Sequence, residues 1–98
     1  MISLKIYKQG EDTLIAACDL KLMGKEFTEG KFILNVSKKF YEGEHVDIDV
    51  LKKHLETATI ANLVGEETIN FAVENDFIDA ENVLKIKGIP HVQMVKMI

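Results

Sequence analysis

Two stretches hold the residues of this chain best suited to bind something: Asn62-Leu63-Val64-Gly65-Glu66 and Gly88-Ile89-Pro90-His91-Val92-Gln93. His91 and Gln93 lie two apart, so on a strand they project from one face. An imidazole and a carboxamide side by side can donate and accept hydrogen bonds to a ligand or a partner. The plainer reading of a lone histidine is a satisfied or solvated side chain. Asn62 is an amide inside the apolar run Ile60–Val64. It either sits on an open face of a strand or bonds to a nearby turn. Gly65 divides that run from a helical pattern, and a glycine there lets backbone N–H groups approach an anion at the helix N-terminus. A phosphate loop, however, wants several glycines or a Gly-Lys-Ser/Thr. Here Glu66 and Glu67 follow and repel phosphate. The expected role of Gly65 is therefore structural, an unusual backbone angle or close packing, with the two glutamates complementing the helix dipole.

A second chemistry is spread along the chain. Lys21, Lys25, Lys31, Lys38 and Lys39 are interleaved with Phe27, Phe32, Phe40 and Tyr41, while Lys85, Lys87 and Lys96 fall in the last strands. Lysine beside an exposed aromatic ring is the composition that contacts single-stranded RNA. The plainer alternative is a solvated face over core aromatics. If the two regions meet, a local positive face coexists with a net charge of −4. Twelve lysines and no arginine lower the expectation of base-specific DNA reading, for which arginine supplies the usual fork.

Other chemistries are not signalled. Cys18 is the single cysteine, which rules out an intramolecular disulfide, and its apolar neighbours suggest a buried hydrophobe. The adjacent Asp19 would raise a thiol pKa rather than activate it. His45 and His54, nine residues apart, match no zinc spacing. No GxSxG or HExxH is present. No catalytic residue, metal ligand or cofactor is expected. No apolar run approaches the length of a membrane span, and a cytoplasmic, soluble protein with no membrane partner is the expectation.

Ninety-eight residues with 47% hydrophobic content suit a single domain, 1–98, with one real core. Ser3–Lys8 and Thr13–Cys18 read as strands joined through the polar turn Gln9–Asp12, the second apolar on both faces and so more buried. Asp19–Gly30 is a long structured connection with room for one helical turn, its Leu20, Leu22 and Phe27 able to plug the core. Lys31–Val36 is a third strand, and Phe40-Tyr41 either continues the sheet or covers its edge. Asp47 is a good N-cap for a helix whose Ile48, Leu51, Leu55 and Ala58 form one apolar stripe. In Ala58–Ile78 a single helix would put Ile60 and Val64 opposite Ile69 and Val73. The phase break predicts a strand, a corner at Gly65 and a second helix ending near Asn75-Asp76. Val83–Lys87 and Ile89–Met97 complete the strands. Pro90 marks an edge or a strand start. A pairing of Ile60–Val64 with Val83–Lys87 would be parallel, through a right-handed crossover. The expected class is α+β: an N-terminal antiparallel hairpin, a mixed sheet of about five to six strands and two main helices.

Three stretches in this order carry a resemblance: Cys18-Asp19 through Leu22-Met23-Gly24-Lys25 to Phe27-Thr28-Glu29-Gly30, then Ala61–Glu66, then Gly88–Gln93. Over nearly the whole chain they resemble the archaeal family catalogued as domain of unknown function 424. The resemblance implies a small cytoplasmic protein of mixed α and β structure. It implies no established activity and supplies no catalytic residues. The neighbourhood of the family's genes, near translation genes, implies an association with RNA or ribosomes.

Three functions are therefore expected, in order. The first is a non-enzymatic binding module, RNA- or ribosome-associated, using Lys25, Lys38 and Lys39 with the Gly88–Gln93 segment; Gly24 also counts among the candidate binding residues. The second is a small-molecule binder or enzyme with a polar cleft beside Gly65, using Asn62, Glu66 and His91. The third is an adaptor or homodimer joined along Ile89–Met97, whose tail of Val92, Met94, Val95, Met97 and Ile98 is apolar enough to need cover.

Overall fold

The computed structural model describes residues 1–96. Strands β1 (Ile2–Gln9) and β2 (Asp12–Asp19) form the expected antiparallel hairpin. Ile15 and Ala17 face one side of β2, Ala16 and Cys18 the other, and all four are buried. Apolar residues on both faces mean that β2 must be covered on both, and it lies in the interior of the sheet. Strand β6 (Ile60–Val64) pairs with β2 in parallel, Cys18 opposite Val64. The full sheet has the order β5-β1-β2-β6-β8-β7, with β5 spanning Glu44–Val46, β7 Leu84–Ile86 and β8 Ile89–Val95. It is a six-stranded mixed sheet, and the fold is α+β with two main helices.

Helices α2 (Val50–Thr57) and α3 (Glu66–Glu74) cover one face. Leu51 and Leu55 of α2 and Ile69 and Ala72 of α3 pack with Leu4, Ile15, Ala61, Leu63, Val92 and Met94 of the sheet. The apolar stripe of α2 is as expected, but the helix begins later than Asp47. A turn closed by Val50 N donating to Asp47 O precedes it, and Asp49 takes the N-cap position without a side-chain bond. Lys96 Nζ donates to the carbonyls of Leu55 and Glu56 at its far end, where a cation complements the helix dipole.

The opposite face carries a smaller cover made by residues 20–41. Leu20–Leu22 is the single helical turn expected in the long connection, and Leu22 is buried. The rest of that connection holds a strand that its composition did not signal. This strand, β3 (Glu26–Glu29), pairs with β4 (Phe32–Asn35) as a two-stranded sheet of its own. Phe40-Tyr41 is not extended chain: Lys38–Tyr41 is a one-turn helix, α1, with Ser37 Oγ accepting from Phe40 N. Leu34, Val36 and Tyr41 bury Ala16, Cys18 and Val64 beneath this layer.

The conditional pairing of Ile60–Val64 with the Val83–Lys87 segment does not form. Strand β8 lies between them, antiparallel to both. Lys87 (φ 54) and Gly88 (φ 77) form a two-residue turn of the I′ type, which brings β8 straight back along β7. Strand β8 thereby takes the neighbouring place that a crossover strand would have occupied. Pro90 stands at the start of β8, as expected, but β8 is not an edge strand. Val92 and Met94 of the expected apolar tail are in the core, Val95 is exposed, and Met97 and Ile98 lie outside the described residues.

Candidate functional site

The corner at Gly65 is built by a residue from another strand. In the parallel ladder Cys18 stands beside Val64, so Asp19 and Gly65 are neighbours as both strands end. Gly65 has φ 108 and occupies the N-cap position of α3 with no side chain to offer the helix. The buried Asp19 carboxylate supplies the cap instead. It accepts from Glu67 N at 3.0 Å, from Thr68 N at 2.9 Å and from Thr68 Oγ1 at 2.8 Å. The anion position that a strand–glycine–helix corner offers is thus filled by the chain's own carboxylate. Glu66 and Glu67 lie outside it on exposed positions. Gly65 has the unusual backbone angle and the close packing expected of it, with the Asp19 carboxylate against its α-carbon.

Asn62, His91 and Gln93 do come together. Asn62 lies opposite Gln93 and Val64 opposite His91, so the three polar side chains share the face turned away from the helices. They line a cleft of about 640 Å³ with Tyr41, Phe77, Ile78, Asp79, Asn82 and Leu84. Tyr41 was not among the expected site residues. Its aromatic type suggested sheet or cover, and only the packing of α1 over Cys18 carries its ring to this rim. Glu66 does not join the cleft; it lines two grooves on the α3 side instead. Of the three polar groups expected in a cleft beside Gly65, Asn62 and His91 meet and Glu66 does not; Gln93 stands in its place.

Burial governs the titratable groups here. The Cys18 thiol is pushed up to about 12, by burial first and then by the Asp19 carboxylate. It is a core thiol rather than a nucleophile. Tyr41 is likewise pushed up to about 12, by burial and then by Cys18. Burial lowers His91 from its ordinary 6.5, and Nε2 is enclosed with no hydrogen-bond partner among the described residues. Protonation would place a charge there with nothing to pair it. The unfolded chain takes up that proton at higher pH than the fold does. The stability conferred by neutral His91 is thus complete above pH 6.5 and is lost as pH falls through the lower folded value. We expect His91→Gln to flatten the fall in unfolding free energy below pH 6.5, measured by urea denaturation across that range. An unchanged pH slope would remove His91 from this role.

The lysines divide. Gly24 N donates to Val36 O, and the Lys38 side chain lies over Gly24. Lys39 O accepts from Lys5 Nζ at 2.9 Å, and Lys5 stands 5.1 Å from the Tyr7 ring centre. Tyr7 and Phe40 stack on each other at 5.4 Å. Gly24, Lys25, Lys38 and Lys39 thus belong to the cover. Lys87 joins them, since its N–H donates to Glu29 Oε1 at 2.6 Å and ties the tip of the β3–β4 hairpin to the β7–β8 turn. Lys85 lies in a groove against α3, and Lys96 reaches α2. Of the last three lysines, Lys87 is the one whose backbone is hydrogen-bonded to the cover. Among the described residues no group of His, Cys, Asp and Glu could hold a metal ion, and no helix is long and apolar enough to cross a membrane.

No curated protein matches the chain. A solved structure similar to it is that of an uncharacterized conserved protein from Methanopyrus kandleri, 27% identical, with a TM-score of 0.81 over 95% of this chain and 89% of that one. A family model described as "Protein of unknown function (DUF424)" matches residues 7–97, and the chain belongs to that family.

Proposed function

We propose that the protein is a non-enzymatic binding module for single-stranded RNA, acting in the cytoplasm in the setting of translation through its basic cover. The observation that carries this reading is the separation of charge between the two layers on the sheet. The cover, residues 20–41, has five lysines against Glu26 and Glu29. The segments that carry α2 and α3, residues 42–57 and 66–82, have eleven carboxylates against Lys52 and Lys53. A net charge of −4 thus conceals one positive face, and phosphates would be drawn to the cover and kept off the helices.

The cover also presents a free ring. Tyr7 and Phe40 spend their faces on each other, but Phe32 is 67% exposed on β4, with Lys31 before it and Glu29, the partner of Lys87, opposite. A base stacked on an exposed ring contributes about 1–3 kcal/mol, which is about 5- to 150-fold in affinity. We expect a fluorescein-labelled oligouridine to bind at low ionic strength, to weaken steeply with salt, and to lose at least about fivefold with Phe32→Ala. Lys38→Glu with Lys39→Glu should flatten the salt dependence. Anisotropy that shows no binding at low salt, or binding indifferent to salt, would overturn the proposal.

A further inference from the structure

We propose that the cleft beside β8 is a strand-acceptor site that takes an extended, basic peptide segment of another protein. The backbone phase of β8 carries the argument. Gly65 N donates to Pro90 O, and Lys96 N to Thr59 O. In an antiparallel ladder the polar groups of successive residues point to opposite flanks. Residues 90, 92, 94 and 96 therefore turn theirs toward β6. Ile89, His91, Gln93 and Val95 turn theirs the other way. Ile89 and His91 meet Ile86 and Leu84 of β7. There β7 ends, and Ala80–Asn82 coil into a helical turn instead of continuing it. Among the described residues, the N–H and C=O groups of Gln93 and Val95 consequently face no strand.

This is a gap inside a sheet rather than an outer edge. Its far wall is Phe77, Ile78, Asp79 and Asn82. An extended segment of about four residues, laid in line with β7, would complete the ladder on β8. Its side chains would alternate between Asn62 and His91 on one face and Phe77 and Ile78 on the other. Open edges are usually blunted by lysine, proline or a bulge. The exposed stretch here has none of these: Gln93 and Val95 are neutral, and no lysine lines the cleft. Its one charged liner is Asp79, with Asp76 and Glu81 close by in the chain. That favours a partner segment carrying lysine or arginine, and it disfavours nucleic acid, which separates this site from the basic cover.

The probes are the acetylated and amidated heptapeptides Lys-Val-Lys-Val-Lys-Val-Lys and Glu-Val-Glu-Val-Glu-Val-Glu. Hydrogen exchange of the Gln93 and Val95 amides reads occupancy directly. We expect the basic peptide to slow both amides at least about tenfold and the acidic one to leave them unchanged. Gln93→Pro removes an N–H that serves no pairing among the described residues, and should abolish peptide binding by titration calorimetry while Gln93→Ala retains it. Should Gln93→Pro fail to fold, the basic peptide N-methylated at every residue, which leaves neither edge able to donate, replaces it and must not slow the wild-type amides. The proposal is overturned if the basic peptide at millimolar concentration leaves both amides unprotected, or if the acidic peptide protects them equally. Protection that rises with protein concentration alone, the mark of a second copy in the gap, overturns it too, as does protection by oligouridine.

Discussion

Gly65→Ala is expected to destabilise the protein by roughly 3–5 kcal/mol, summing backbone strain, a lost cap and an overpacked site. Two effects coincide at this position. A φ of 108° is one that an L side chain rarely adopts. In addition, a β-carbon there would fall within the Asp19 carboxylate, which is the residue that caps α3. Asp19 cannot swing away without leaving the N–H groups of Glu67 and Thr68 and the Thr68 hydroxyl unpaired inside the protein. For a domain of this size each kcal/mol lowers the melting temperature by about 4–8 °C, so a drop of at least about 12 °C is expected. Asp19→Ala alone should be destabilising through the lost cap. The double variant should lose less than the sum, because removing the carboxylate relieves the clash. Urea unfolding of the four proteins measures that coupling. A loss below about 1 kcal/mol for Gly65→Ala would mean the corner relaxes freely and Asp19 is not fixed by it.

The second large effect is expected at Gly43, for a different reason. The chain leaving α1 crosses β1 there at backbone contact. Gly43 N donates to Ser3 Oγ at 2.9 Å, and Ser3 Oγ donates to Tyr41 O at 2.8 Å. A β-carbon on Gly43 would land on the Leu4 carbonyl. Backbone cannot give way as a flexible side chain does, so β5 and the end of α1 must lift from β1. We expect Gly43→Ala to destabilise by about 2–3 kcal/mol, less than Gly65→Ala, because β5 is a short edge strand that can be displaced. Its mark should be local: faster amide exchange at Glu44–Val46, whose strand pairs only with β1 among the described residues, while α3 stays protected. The neighbouring exposed Glu42→Ala should fall within about 0.5 kcal/mol of wild type. Equal exchange at Glu44–Val46 in Gly43→Ala and wild type would show that the close approach is not needed.

Much of this arrangement was legible in the residues. The hairpin of β1 and β2 follows from alternation and a glycine turn. The corner at Gly65 follows from the phase break between Ile60–Val64 and Ile69–Val73, and the shared face of His91 and Gln93 from their spacing. The buried character of Cys18 followed from its neighbours. These are properties of local periodicity, with side chains at fixed angular steps along one element. The short elements of the cover were not legible. Lys38–Tyr41 spans too few residues to show a period, as does the edge strand Glu44–Val46 of the main sheet, and Glu26–Glu29 has one apolar residue in four.

What the sequence determined by itself is the class of the protein: α+β, two amphipathic helices, a central strand buried on both faces, and a stretch rich in lysine and aromatic residues. What only the tertiary structure decided is which of these meet. The spacing of the chain could not show that Asp19, nearly fifty residues before Thr68, caps its helix. Nor could it show that β8 folds back into the place beside β6 and leaves Gln93 and Val95 unpaired on their far flank among the described residues. Both depend on strand order and register, which arise from contacts between distant segments competing for one sheet. Local periodicity records which face of an element is apolar, and carries no record of the neighbour against which that face is buried.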